Sequence, residues 1–306
     1  YVTVMRGCDR FCSYCIVPHV RGREASRPVS EVLDEVRRLV ARGVRDITLL
    51  GQNVNSYGKV FAGGAPPEGG AVAAGLDFPE LLDQVAAIDG LARLRFITSN
   101  PRDCSTALMD RFASLPNLAP YFHLPLQAGS DDVLRRMNRG YTAASYLEKI
   151  AYLRQVAPHV HLSTDMIVGF PGETEADFEE SMTMVERVRY DTMFSFKYSP
   201  RDGTAAATLD DDVPDDEKLR RLQRLQARQD EISYESLQRF ADQTIEVLVE
   251  GFSRRSDEHL SARTGTNMVV NLVPPEGYSD LQALQGALLD VHVDRECGEG
   301  QRRRGH

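Results

Sequence analysis

The sequence predicts an α/β chain. A parallel sheet of six βα units, either an open partial barrel or a doubly wound sheet, is followed by a small all-β barrel. Three observations carry this. Short β-branched runs alternate with longer amphipathic stretches through residues 1–236. From residue 237 the helical spacing gives way to short strands separated by Gly and Pro turns. The length, 306 residues with 42% hydrophobic content, is enough for one large core and a second small one.

Residues 1–5 read as the first strand. Ser30 is expected to cap the first long helix, with Glu31, Asp34 and Glu35 near its start and Gly43 as its stop signal. Val32, Leu33, Val36, Leu39 and Val40 recur there at helical spacing. Strands are expected at 46–50, 94–98, 121–124, within 160–168 and at 192–198, and helices at 79–88, 146–156 and about 175–188. Pro214, behind Asp212 and Val213, opens a long last helix striped by Leu219, Leu222, Leu225 and Ile232. The acids at 210–212 and 215–217 read as its solvated start. Four strands close the chain at 244–250, 260–263, 268–272 and 287–294. Residues 62–75 (AGGAPPEGGAVAAG) interrupt the rhythm and read as a flexible inserted loop. Right-handed crossovers would place a ligand site at the C-terminal strand ends.

Bulk properties exclude several classes. No run approaches the length of a membrane span, and no signal peptide is visible. Net charge is −9, against a broad basic face for nucleic acid. Charge is uneven: residues 1–45 carry nine Arg against five acids, and residues 237–306 eight Arg against eleven acids. Any nucleic-acid contact should therefore centre on the N-terminal loop. Of five Cys, three fall within eight residues, which argues against a disulfide framework and for a reducing, cytoplasmic compartment. Cys104 and Cys297 stand alone and read as incidental.

The chemistry sits in Gly7-Cys8-Asp9-Arg10-Phe11-Cys12-Ser13-Tyr14-Cys15, a C-x₃-C-x₂-C motif directly after the first strand. Three thiolates so close can take three corners of a [4Fe–4S] cubane. The fourth iron is left open to a small molecule that binds through its amino and carboxylate groups, as reductive cleavage of S-adenosylmethionine (SAM) requires. Rival readings are a ferredoxin-type cluster, which needs a fourth Cys, and a zinc knuckle with His19 as fourth ligand. The zinc reading would make the chain a non-catalytic, metal-stabilised RNA-binding module.

Other candidates lie at strand ends. Gly51, Gln52 and Asn53 suit a ligand's amino or carboxylate group. Gly169-Phe170-Pro171-Gly172-Glu173-Thr174 combines two glycines with a helix N-terminus, or is a plain turn capped by Thr174. His123 reads as a core histidine, and Gln127 and Ser130 as better partners for a ribose or base. Arg21, Arg23 and Arg27 either meet phosphates or form a solvated, salt-bridged loop.

Four runs together, GCDRFCSYCIVPHVRGREASRP, LLGQNVNSYG, HLPLQAGSDDVLRRMNRGYT and STDMIVGFPGETEADF, resemble the MiaB family of tRNA methylthiotransferases, and the β-rich tail resembles its TRAM domain. The resemblance implies a radical SAM partial (β/α)6 TIM-like barrel over 1–236 and a TRAM (OB-like) barrel over 237–306. It implies that Cys8, Cys12 and Cys15 ligate the cluster, with Tyr14, Gly51, Gln52, Asn53 and the turn of Gly169, Gly172 and Glu173 near SAM; Gln127 joins the cofactor-binding candidates from its own strand-end position. Arg21, Arg23, Arg27 and Ser130 would face the substrate. One SAM would supply a methyl group and another the 5′-deoxyadenosyl radical. The target would be carbon 2 of N6-isopentenyladenosine beside the anticodon, in the anticodon stem-loop of tRNA. An electron donor such as flavodoxin or ferredoxin, a monomeric state and no membrane partner complete the expectation. Sister families act on threonylcarbamoyladenosine or on a ribosomal-protein aspartate. The family's auxiliary [4Fe–4S] cluster belongs to an N-terminal domain expected to be missing here, so this chain is expected to cleave SAM without completing methylthiolation. The acidic tail is a departure from a tRNA-gripping TRAM surface.

Overall fold

The computed structural model describes residues 1–61, 76–253, 256–273 and 281–294. The inserted Gly/Ala/Pro loop and Cys297 lie outside them.

Along the chain, β1 (Val2–Thr3) and β2 (Met5–Arg6) lead into the cysteine loop, then α1 (Val17–Arg21), β3 (Ala25–Ser26), α2 (Val29–Ala41) and β4 (Asp46–Leu50). Next come α3 (Phe78–Ala86), β5 (Arg93–Phe96), α4 (Thr106–Ser114) and β6 (Tyr121–His123). They are followed by α5 (Asp131–Arg136), α6 (Ala143–Val156), β7 (His161–Val168), α7 (Glu175–Val188), β8 (Thr192–Lys197) and α8 (Asp215–Gln238). The tail adds β9 (Thr244–Ser253), β10 (Ser256–Thr264), β11 (Val269–Leu272) and β12 (Leu288–His292).

Two three-stranded parallel sheets, β1-β4-β5 and β6-β7-β8, carry the main body. A parallel bridge between Leu94 and Leu118 joins them just before β6. The six strands thus follow chain order with no reversal. That is the order of a barrel left open between β8 and β1, and a doubly wound sheet requires a switch point that is absent among the described residues. One large apolar cluster lies under these strands, with Val2, Ile47, Leu49, Leu94, Phe96, Phe122, Leu162 and Met166 packed against Leu81, Tyr146, Phe178 and Leu225 of the helices.

Several local expectations change. Helix α2 begins behind Pro28, with no side-chain cap; Ser30 lies inside it. A proline φ of −53° suits that boundary without a hydroxyl. The third strand ends at Phe96, since Thr98 turns to a positive φ of 71°. The short helices α1 and α5, and α4 capped by Ser105, had no counterpart in the sequence reading. The tail strands were all anticipated, but among the described residues they form an open antiparallel sheet, β11-β10-β9-β12, rather than a barrel.

The turn between β10 and β11 docks onto the parallel sheet. Arg95 donates to the carbonyls of Thr264 (2.8 Å) and Gly265 (3.0 Å), and Arg93 to that of Arg263 (2.9 Å). These two buried arginines also pair with Asp46, so the end of the strands opposite the cysteine loop is covered.

Candidate functional site

The cysteine loop leaves β2 at Gly7, whose φ of +72° only glycine adopts without strain. A Cβ there would stand 2.0 Å from the Arg23 carbonyl oxygen. Gly7 N donates to Gln52 Oε1 (2.6 Å) and Cys8 N to Gly22 O (3.2 Å), which folds the loop back on the segment after α1. Asp9 accepts from Arg23 Nε (2.6 Å) and from Glu24 N (3.2 Å). Farther along, Ser13 N and Oγ donate to the carbonyls of Met137 and Arg136, and Asn138 Nδ2 donates to Phe11 O (2.9 Å). The loop is therefore clamped between the β2–β3 hairpin and the end of α5.

Arg139 fills the centre of this clamp. It is 7% exposed, donates from Nη1 to Cys12 Sγ (3.2 Å) and Tyr14 Oη (3.3 Å), from Nη2 to Pro125 O (3.2 Å) and from Nε to Tyr141 Oη (2.9 Å). Sequence reading missed it. It lies within the run HLPLQAGSDDVLRRMNRGYT, but nothing local marks an arginine as the partner of a cysteine so distant in the chain.

Cys8, Cys12 and Cys15 are all free thiols, Cys12 buried and the other two half-buried. Burial pushes the Cys8 thiol up to about 11, and the Glu24 carboxylate and the two neighbouring thiols add to it. Burial pushes Cys15 up as well. Thiols held neutral in this way bind as thiolates when a metal supplies positive charge. Cys104 is a buried core cysteine, pushed up to about 12 by burial.

The strand-end candidates divide by what already occupies them. Gly51 is small because a Cβ would meet Met5 Cγ at 2.5 Å, and Gln52 anchors the cysteine loop through Gly7. Asn53 is buried; its amide nitrogen is used by Ser56 (2.5 Å) and Asp103 (2.8 Å), while its Oδ1 has no partner among the described residues. Burial opposes ionisation of Asp103, but hydrogen bonds from Lys59 and Asn53 and the charge of Arg10 hold its carboxyl below the usual range. Gln127 is buried at a φ of +77°. With Phe11 (+48°) and Thr98 (+71°) it makes three non-glycine residues in left-handed backbone in the cysteine loop and the segments after β5 and β6. Such strain persists where surrounding structure fixes it, most often at functional sites.

The turn at 169–173 is held from α8 and the acidic run before it. Gly172 N donates to Asp212 Oδ1 (2.6 Å), and Gly169 N to Glu173 Oε1 (2.8 Å). Glu173 pairs with Arg221 Nη1 (2.8 Å), and Asp211 with the buried Lys218 (2.6 Å). The acids at 211 and 212 lie exposed ahead of α8, as expected of a solvated helix start, and each also takes a partner. Thr174 caps α7 in a capping box with Asp177, as the alternative reading had it. A second apolar cluster, with Phe170, Tyr198, Ala128 and Met137 at its centre and Tyr14 against it, packs this turn onto the cysteine loop.

The remaining candidates are less open. Ser130 caps α5 and is hydrogen-bonded to Asp177. Arg23 is paired with Asp9 and Arg27 with Glu35 (2.7 Å), so the salt-bridged reading holds for both, while Arg21 is exposed in the last turn of α1. His123 is half-buried, with Nδ1 2.7 Å from Ser163 Oγ and its ring edge-on to Phe194. Phe194 and Phe196 are about half exposed.

Three thiols from one loop match the donor set of a [4Fe–4S] cluster with one iron free of protein ligands. Among the described residues no three His, Cys, Asp or Glu side chains gather as ligands of one ion do, and His19 is exposed on α1. Among the described residues, Glu24 Oε1, Asn53 Oδ1 and Ser99 Oγ are buried without hydrogen-bond partners, in the cysteine loop's return segment and the loops after β4 and β5. A small polar ligand beside the cluster would complete them. The residues present fit both groups.

Together the open six-stranded barrel and its three-cysteine loop define a class: the chain belongs to the radical SAM superfamily, which it matches over residues 2–185. Membership implies a [4Fe–4S] cluster and SAM. Among curated proteins it is 50% identical over 295 residues to a tRNA-2-methylthio-N(6)-dimethylallyladenosine synthase of Geobacter metallireducens, covering 96% of this chain and 63% of that protein. It is 52% identical over 293 residues to the protein of that name from Citrifermentans bemidjiense, covering 96% of this chain and 62% of the relative. The chain thus spans somewhat under two thirds of the length of these relatives. Two solved structures share the fold. One is the radical S-adenosylmethionine methyltransferase TsrM from Kitasatospora setae, solved with cobalamin and a [4Fe–4S] cluster (TM-score 0.52, 16% identity, 67% of this chain, 38% of that one). The other is the coproporphyrinogen III oxidase HemN from Escherichia coli, a radical SAM enzyme (TM-score 0.50, 13% identity, 90% of this chain, 71% of that one).

Proposed function

We propose that this chain is the catalytic part of a radical SAM methylthiotransferase that modifies C2 of N6-dimethylallyladenosine next to the anticodon of tRNA. The observation that carries the reading is 50% identity over 96% of the chain to a protein named for that product. When bound, the cluster delivers the electron that cleaves SAM.

Cys8, Cys12 and Cys15 hold the cluster, each from a loop fixed at both ends. Gln52 positions that loop through Gly7, and Tyr14 packs it against the turn at Gly169, Gly172 and Glu173. Asn53 offers its unpartnered Oδ1, and Gln127 its strained backbone, to SAM. Of the three arginines expected to meet tRNA phosphates, Arg21 has no ion-pair partner among the described residues; Arg23, Arg27 and Ser130 reach the substrate only by exchanging their present partners. Residues 1–236 form the radical SAM domain, and residues 237–306 a TRAM (OB-like) unit whose sheet contacts the same tRNA. The same reading includes an auxiliary [4Fe–4S] cluster in a further N-terminal domain, a flavodoxin or ferredoxin as reductant, a monomer and a cytoplasmic location. No helix among the described residues is long and apolar enough to cross a membrane.

The test is anaerobic loading with iron and sulfide, then dithionite and SAM, with 5′-deoxyadenosine as readout. Product is expected from the wild-type chain and none from Cys12→Ala. Methylthiolated tRNA is expected only when the auxiliary cluster is also supplied. About one zinc per chain and no sulfide would overturn the reading.

A further inference from the structure

Arg139 is a buried guanidinium without a carboxylate. All its hydrogen-bond acceptors are a carbonyl, two phenols and Cys12 Sγ, and among the described residues no Asp or Glu forms an ion pair with it. Arginine stays protonated in proteins, and a buried cation left without a counter-charge is strongly destabilising. Of the four acceptors, only Cys12 becomes formally anionic when it binds iron.

The local structure is built to hold the guanidinium there. Asn138 turns the chain with a φ of +56°, after Met137 has accepted the Ser13 amide, and Arg139 N then donates to Leu134 O (3.0 Å). The residue is thus fixed to the same segment that clamps the cysteine loop. A forked guanidinium serves the sulfur, both phenols and the carbonyl at once; a lysine ammonium cannot span them.

We propose that Arg139 is the fixed counter-cation of the cluster's Cys12 sulfur and raises the cluster's reduction potential. The inference rests on the cluster reading above. Reduction adds one electron, from an external low-potential donor, to the cluster and moves no proton, since Arg139 keeps its charge throughout. A positive hydrogen-bond donor at a ligand sulfur favours the state with more negative charge, one of the levers by which proteins set such potentials. Arg139 acts through Cys12 and is a positioning and tuning residue.

The experiment compares reconstituted wild type, Arg139→Gln and Arg139→Lys at a series of poised potentials. Iron and sulfide content and the low-temperature EPR signal of the reduced cluster are measured, with SAM affinity in parallel. In Arg139→Gln the reduced-to-oxidised ratio at fixed potential is expected to fall about tenfold, equivalent to 59 mV for a one-electron couple. Arg139→Lys, which keeps the charge but not the fork, is expected to fall about threefold, half that shift on the same logarithmic scale. If Arg139→Gln fails to retain iron, the lysine variant decides. An unchanged potential in a fully loaded variant overturns the proposal, as does an unchanged potential with weakened SAM binding, which would make Arg139 a SAM ligand. Absence of any cluster in the wild type would instead overturn the cluster reading itself.

Discussion

Replacing Arg221 with Gln removes the cation that faces Glu173 across the turn at 169–173. The two side chains are 6% and 1% exposed and 2.8 Å apart, and Arg221 also donates to Glu173 O (3.0 Å) and to Glu217 (2.8 Å). In the variant the Glu173 carboxylate stays buried with the Gly169 amide as its main donor. Breaking a buried pair from one side costs roughly 3–5 kcal/mol. For a chain of this size that lowers Tm by roughly 6–20 °C. The pH dependence is diagnostic. Burial already holds the Glu173 carboxyl above its usual range, with Gly169 and Arg221 pulling it down, so losing Arg221 raises it further. A carboxyl whose folded pKa is raised contributes stability that is present below its unfolded pKa and lost as pH rises through its folded pKa. The penalty of Arg221→Gln should therefore be smallest near pH 4.5 and grow toward neutrality. Thermal melts from pH 4.5 to 8 would show this. A pH-independent penalty, or a Glu173→Gln/Arg221→Gln double variant no more stable than Arg221→Gln at pH 7, would refute the argument.

Three further outcomes follow from single contacts. Gln52→Ala removes the acceptor of the Gly7 amide and should cost about 1–3 kcal/mol, with iron retention after reconstitution falling more than Tm; full iron retention would show that the cysteine loop holds itself. His161 is lowered to about 4, chiefly by burial, with Asp191 opposing and Arg239 adding to the shift. Its unfolded state binds the proton first, so stability should fall as pH drops from about 6.5 towards about 4, and urea midpoints for His161→Gln should lack that slope. Arg95→Ala removes the donors to Thr264 and Gly265; amide hydrogen exchange at residues 264–268 should quicken several-fold while the parallel strands stay protected.

How much was legible follows from how local each signal is. Strand β4 and helix α7 fall where the sequence puts them, because alternation at 46–50 and the Thr174 cap are complete within a few residues. The six-strand series and the three-cysteine loop are equally local, so the motif's spacing and its place directly after the first strand together indicated the chemistry. Helix α5 escaped because its six residues are too short for periodicity to register, and Ser30 was misjudged because Pro28 ends the preceding segment first. Whether the sheet was wound in both directions or left as an open barrel could not be read from the series, since strand order is a property of pairing. The partners of Glu173 and of the acids at 211 and 212 came from packing of α8 on the turn. The sequence by itself determined most of the strands, the long helices and the spacing of the three cysteines. Tertiary structure alone decided which charge stands beside Cys12, because Arg139 is 127 residues away and meets it only after the end of α5 closes over the loop.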